Sequence, residues 1–479
     1  MRRRFALACA AIVVAGASAA GGGDARDAAI RALVADAAAI PSEFAADALL
    51  RIAGSGLVDD AQWRREMLET AYMRAYAAQE PYRRTSVGVP QDTRQGAMTL
   101  AAESTLNRVS LQVRSTLLLA PDFPARAREL FEWIDLNLDP ASCSDPLVPA
   151  VDEYYAALAA LARTTFDGAH RDDALRFLEL FLWRARLPTD MPSVARALLR
   201  FRPDRDEAAH LETAFRAILD LGALDPRGFS TATLDIVARS GELQHADRDL
   251  GVSGLYVMEG LRAYLMAQLS GPRCADSITE SLTPATFNDT VRGLDPFADV
   301  KPIDAQVRPA RLLAAARIDP YWATGDARRL HDELLQLRGP GRDPVPLKVR
   351  QTDEWRHRAE RFLVDVDHWT GRGEASERDA FYQKAVLFTG ILDLMPPSET
   401  RASGVRLFVD FLRHADIERT RRNLWFLFVS RLASTRGDMR KDAIAALERS
   451  GHPILSLYAR IERVAPSTGR QRQSARARQ

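Results

Sequence analysis

The sequence predicts an all-α protein. Three observations carry that prediction. Apolar residues recur at helical spacing in nearly every segment after residue 24, period-2 alternation is almost absent, and Pro, Gly and Asp turns punctuate the chain. Many helices of about 12 to 20 residues joined by short turns predict antiparallel helix pairs, stacked as an irregular α-superhelix or α-α solenoid-like array. No fixed repeat period runs through the chain, and the tetratricopeptide pattern of about 34 residues does not recur.

The first element is a leader. Arg2, Arg3 and Arg4 form a positive flank, Phe5 to Ala15 form a short apolar run, and small residues lead into "GGGD". This is the layout of a secretory signal peptide, expected over residues 1–20 with cleavage near Ala19 and Ala20. The run falls short of the roughly 20 apolar residues that cross a bilayer. Cys9 stands near its start with Ala6 three positions back, which does not fit a lipid-anchor pattern. The expected destination is outside the cytoplasm, periplasmic or secreted, with no transmembrane segment in the mature chain.

An N-terminal helical domain is expected over residues 21–282. In "DDAQWRREMLETAYMRAYAAQE", Trp63, Met67, Ala71 and Ala75 share a stripe, Asp59 and Asp60 stand ready to cap, and Pro81 closes the helix. Pro124 opens "FPARARELFEWIDLNLDP" at a position where its missing N–H costs nothing. "HRDDALRFLELFLWRARLP" is apolar almost all round and predicts a helix buried on several sides. "DRDEAAHLETAFRAILDLG" and "GLYVMEGLRAYLMAQLSG" end at Gly222 and Gly271, both placed as C-terminal caps.

Residues 283–320 predict a linker or irregular excursion, because "LDPFADVKPIDAQVRP" is rich in Pro and Asp and has no helical period. A C-terminal helical domain is expected over residues 321–466, with Ser376 and Asp379 at capping-box spacing. "NLWFLFVSRL" reads as a buried packing helix in preference to an interfacial membrane helix. "PVPLKV" is the best short strand-like exception. Residues 467–479, "GRQRQSARARQ" and its flank, have no apolar residue to bury and predict a disordered tail.

The chain of 479 residues is longer than one compact core usually supports. Its 65 basic and 64 acidic side chains leave a net charge of +1, with no basic stripe, which removes the electrostatic basis for nucleic-acid binding. Beyond the leader two cysteines remain, Cys143 and Cys274, both in turn-like contexts, and an oxidising compartment allows a disulfide between them. A straight solenoid would hold such distant turns apart. The bridge therefore requires the array to curl back or the N-terminal part to be compact.

The stretch "IPSEFAADALLRIAGSGLVDDAQWRREMLETAYMRAYAAQEPYRR" resembles, in texture, the N-terminus of a group of exported, Ala- and Arg-rich bacterial helical proteins. "FYQKAVLFTGILDLMPP" and "SGHPILSLYARIERVAP" resemble its C-terminus. The resemblance implies an exported all-helical protein and carries no chemistry.

Motifs of chemistry are few. Glu-x-x-His occurs at Glu207/His210, Glu242/His245 and Glu354/His357, a spacing that di-iron bundles use in pairs. The first sits in a charged stretch, the second near a helix end, and the third among Arg356, Arg358 and Arg361, which oppose a dication. Salt-bridged surface faces explain these and the run His357, Glu360, Asp365, Asp367, His368. The neighbours Trp133/Asp135, Glu354/Trp355 and Asp367/Trp369 are the residue types of a glycosidase on a helical toroid, but they are scattered. No catalytic, cofactor-binding or metal residue is assigned, and no cofactor is expected. The reading that remains is an exported scaffold holding a protein or a cell-envelope polymer. The alternative is an exported helical-toroid enzyme acting on sugar or cell-wall polymer.

Overall fold

A computed structural model describes residues 23–85, 93–102, 104–136, 147–182, 184–185, 190–224, 241, 255–275, 277–292, 300–314, 321–322, 325–341 and 343–465. The protein is all-α. The leader, with Cys9, Ala19 and Ala20, and the tail at 467–479 lie outside the described residues. So do Cys143 and the side chain of Cys274.

The first run comprises α1 (Gly23–Ala38), α2 (Ser42–Ala53), α3 (Ala61–Arg74), α4 (Arg94–Ala102), α5 (Arg108–Leu119) and α6 (Pro124–Glu132). It continues with α7 (Asp152–Thr164), α8 (Arg171–Leu182), α9 (Met191–Phe201), α10 (Arg205–Ala223), α11 (Leu255–Ser270) and α12 (Ser277–Val291). The second run is α13 (Gly325–Arg338), α14 (Leu347–Arg350), α15 (Asp353–His368), α16 (Glu377–Leu394) and α17 (Glu399–His414). It ends with α18 (Ile417–Thr420), α19 (Arg422–Ala433), α20 (Asp438–Arg449) and α21 (Pro453–Val464).

Sequence dictates several of these starts directly. Asp60 Oδ1 accepts from the backbone N–H of Gln62 at 2.9 Å and of Trp63 at 3.0 Å, capping α3 as expected, while Asp59 pairs with Arg26 instead. Met67, Ala71 and Ala75 are buried along the predicted stripe, and Trp63 lies half-buried under the Arg31 guanidinium. Pro124 occupies the first turn of α6. Asp204 and Glu207 close a capping box on α10, satisfying two orphan N–H groups reciprocally. Ser376 Oγ accepts from Asp379 N at 3.2 Å to start α16.

Four local expectations need correction. Gly222 is not a C-terminal cap: α10 runs through it to Ala223 and is capped at Leu224. "PVPLKV" forms no strand among the described residues. Leu347–Arg350 is a single helical turn, because the carbonyl of Pro346 accepts from the N–H of Val349 and Arg350. The helix α12 covers the first nine residues of the expected excursion at 283–320, passing through Pro284. Burial of Phe287 and Val291, one turn apart, carries the helix past the proline. The Asn288 side chain then pins the irregular part, donating to Ile303 O at 2.9 Å and accepting from Ile303 N at 2.7 Å. Finally, α8 is buried on one face only: Ala174, Phe177, Leu178, Phe181 and Leu182 point inward while Leu180 is 46 % exposed.

Strand is limited among the described residues to four three-residue pieces. β1 (Arg83–Thr85) pairs antiparallel with β2 (Leu147–Pro149), and β3 (Pro272–Cys274) pairs parallel with β4 (Arg311–Leu313).

Neighbours in sequence pack on one another: α1 on α2, α2 on α3, α3 on α5, α5 on α7, α7 on α9, and α8 and α11 on α10. In the second run α13 packs on α15 and α16, α17 on α20, and α19 and α20 on α21. The two runs then meet. The last helix, α21, packs on α1 and α2, and α19 packs on α4. Phe44 of α2 sits against Trp425 and Phe426 of α19 at ring-centroid distances of 5.8 and 5.6 Å. One buried apolar cluster therefore runs from Ile30 to Ile461, across the expected boundary between the helical domains.

Candidate functional site

The seam between the chain's two ends is built on ions. Glu43, Asp47 and Arg51 stand four apart on α2 and so share one face, which is turned toward α5, α19 and α21. Asp47 is fully buried and accepts three hydrogen bonds: from Arg51 Nε at 2.6 Å, Arg114 Nη1 at 2.7 Å and the Tyr458 hydroxyl at 2.8 Å. Burial pushes the Asp47 carboxyl up, but the Arg51 and Arg114 guanidiniums outweigh it and hold it down at about 2. Burial, reinforced by the Asp47 charge, pushes the Tyr458 phenol far up, so it serves as a donor only. Arg51 also reaches Ser430 Oγ at 3.2 Å and Glu462 at 3.5 Å, and Arg422 pairs with Glu43 at 2.5 Å.

Arg114 links this network to a cavity. Its Nη1 is held by Asp47 and by Thr105 Oγ1 at 3.2 Å, which fixes the guanidinium at the wall of a cavity of about 310 Å³ between α5, α7 and α9. The floor is alanine, Ala156, Ala157, Ala159 and Ala160 of α7, whose small side chains leave the space between the helices unfilled. The rim is charged. Arg163 of α7 and Arg200 of α9 are exposed there, and Glu153, half-buried in the first turn of α7, is the one carboxylate in the lining. Three guanidiniums from three helices thus face an apolar floor. The arrangement attracts anionic groups and offers contact to a hydrocarbon stem.

The residues singled out in the sequence do not converge. Glu207 is spent on the α10 capping box and on Arg171, both Arg171 contacts being 2.8 Å, while His210 turns to Glu179 of α8 at 2.5 Å. Glu242 and His245 lie outside the described residues. Glu354 and His357 are exposed on α15, and Arg356 pairs with Asp353. No group of three metal-ligating side chains occurs among the described residues. The Trp–carboxylate neighbours also separate: Trp133 is 50 % exposed under Arg126, whereas Trp355 is buried and donates to Leu337 O at 3.1 Å.

Sequence reasoning passed over the Glu43–Asp47–Arg51 row. Its signal was present as ionisable residues at i, i+4 and i+8 inside "SEFAADALLR", where an amphipathic helix should be apolar. Its partners lie up to 411 residues away, which no local pattern reveals.

No described helix is long and apolar enough to cross a membrane. No known protein family, characterised protein or solved structure matches the chain.

Proposed function

We propose that this chain is an exported helical scaffold that holds an acidic segment of a protein or cell-envelope polymer in the cavity between α5, α7 and α9. The observation that carries the reading is the pairing of Arg114, Arg163 and Arg200 with an alanine floor. An extended acidic chain fits it by placing charges at the rim and its stem over the alanines. Stacked helices present such concave faces between neighbours. Export rests on the leader, and N-terminal sequencing of protein recovered outside the cytoplasm should begin between Ser18 and Gly21. Recovery of an intact Met1 there contradicts cleavage.

Polyglutamate and polygalacturonate, titrated calorimetrically at low ionic strength, test the binding and separate peptide from sugar polymer. At least one should bind with an affinity that falls as salt is raised, because the rim charges are exposed and screened. The double variant Arg163→Ala/Arg200→Ala, both at exposed positions, should bind about tenfold more weakly with its helical circular dichroism intact. A folded variant that binds as tightly as the wild type, or a wild-type protein that binds neither polymer, would sink the proposal.

A further inference from the structure

A second cavity, of about 220 Å³, lies between the C-terminal end of α15, the N-terminal half of α16, the end of α17 and α18. It is independent of the arginine-lined cavity. Its walls are aromatic: Trp369, Phe381 and Phe411, with the two phenyl rings stacked at 5.2 Å and 21°.

Two donors in these walls lack a full set of acceptors. Trp369 is only 8 % exposed, and its buried indole Nε1 has no hydrogen-bond partner among the described residues. Buried indole N–H groups ordinarily find one. Elsewhere in this protein they do: Trp355 donates to Leu337 O and Trp425 to Leu412 O at 2.8 Å. The second donor is Lys384. Its ammonium uses two of its three protons on the carbonyls of Asp367 at 2.5 Å and Trp369 at 2.9 Å. It also stands 5.3 Å from the Phe411 ring centroid, and among the described residues it makes no ion pair with a carboxylate.

The acids at the cavity mouth are already engaged. Glu377 and Asp416 both pair with Arg419, at 3.1 and 3.3 Å, and the Asp416 side chain also caps α18. The Trp369 indole N–H is the donor in these walls that has no acceptor among the described residues. An apolar protein cavity of about 150 Å³ takes benzene, so this one has room for a ring with a short acidic arm.

We propose that the cavity binds a carboxylate carried on an aromatic ring, the ring against the aromatic walls and the carboxylate accepting from Trp369 Nε1 and Lys384 Nζ. Such a group comes either as a free aromatic acid or as the C-terminal phenylalanine of a peptide. Phenylacetate and a short peptide ending in phenylalanine distinguish these sources, and the one that saturates at lower concentration identifies which is held. The readout is the indole N–H region of the ¹⁵N-labelled protein, which contains seven tryptophans. Trp369→Phe keeps a ring in place and removes one resonance, which assigns it.

The expected result is saturable movement of that resonance. Measured by calorimetry, because it no longer carries the reporting indole, the folded Trp369→Phe variant should bind the acid at least about tenfold more weakly than the wild type, as loss of a hydrogen bond to a charged group requires. Methyl phenylacetate, which has no charge, should bind the wild-type protein correspondingly weakly. The proposal is overturned if neither acid saturates at millimolar concentration. It is equally overturned if the ester binds as well as the acid, or if Trp369→Phe binds as tightly as the wild type.

Discussion

At Asp47 the balance between burial and pairing can be followed atom by atom. A lone carboxylate moved into the interior loses several kcal/mol of hydration. Three donors, two of them guanidiniums, replace the lost water and keep the group ionised. Asp47→Asn removes the charge that Arg51 and Arg114 face and should destabilise the fold by about 3–5 kcal/mol, read by urea unfolding at pH 7. The pH dependence follows from the same geometry. The native carboxyl sits at about 2 against an ordinary 3.8, so its ionised form is the one the fold favours. Its stabilisation, about 2 kcal/mol, is fully present above pH 4 and lost as pH falls from 4 through 2. The stability gap between the wild type and Asp47→Asn should therefore narrow over that window. A constant gap would mean that Asp47 is not held ionised.

Helix existence was legible because the period that buries one face is local. The α3 stripe, the Asp60 cap, the Pro124 start and the Ser376 cap all express backbone needs that neighbouring residues meet. The misreadings came where tertiary contacts decide. In α8 the run from Ala174 to Trp183 reads as apolar almost all round, yet among the described residues Leu180 faces outward while the opposite flank packs on α7 and α10. In α12 the buried Phe287 overrides the helix-breaking signal of Pro284. Close helix contacts were equally illegible. Gly404 of α17 lets α15 and α16 approach, since an added Cβ meets Leu392 Cδ2 at 2.9 Å and Leu363 Cδ1 at 3.1 Å. Both neighbours are buried and cannot swing away. Gly404→Ala raises helix propensity by about 1 kcal/mol, but overpacking here should cost about 1–3 kcal/mol and win. Chemical denaturation decides, and a variant more stable than the wild type contradicts the packing argument.

The molecule's two ends share one core, so its stability is coupled over the longest distances in the chain. α21 reaches α2 through Tyr458, whose hydroxyl contacts Phe44 O at 3.0 Å as well as Asp47, and through the ion pair of Glu462 with Arg51. Nothing in the local sequence announces this. "PILSLYARIERV" reads as an ordinary amphipathic helix, and the polar tip of Tyr458 acquires its meaning only when α2 arrives. The candidate binding cavities were hidden for the same reason: Arg114, Arg163 and Arg200 converge from three helices, and Trp369 and Lys384 from two. Tyr458→Phe deletes one oxygen and leaves the ring packed on Phe426. It strands part of the hydrogen-bonding capacity of Asp47 and should cost about 1–3 kcal/mol. If the ends open as one unit, that loss appears in the slowest-exchanging amides of α2 as well as in those of α21, by the same free energy. Native-state hydrogen exchange on the wild type and Tyr458→Phe measures both. A loss confined to α21, with residues 42–53 unchanged, would show that the N-terminal run holds itself together without the last helix. Equal losses in the two helices make the seam a single cooperative joint, with Arg114 carrying its state to the wall of the arginine-lined cavity.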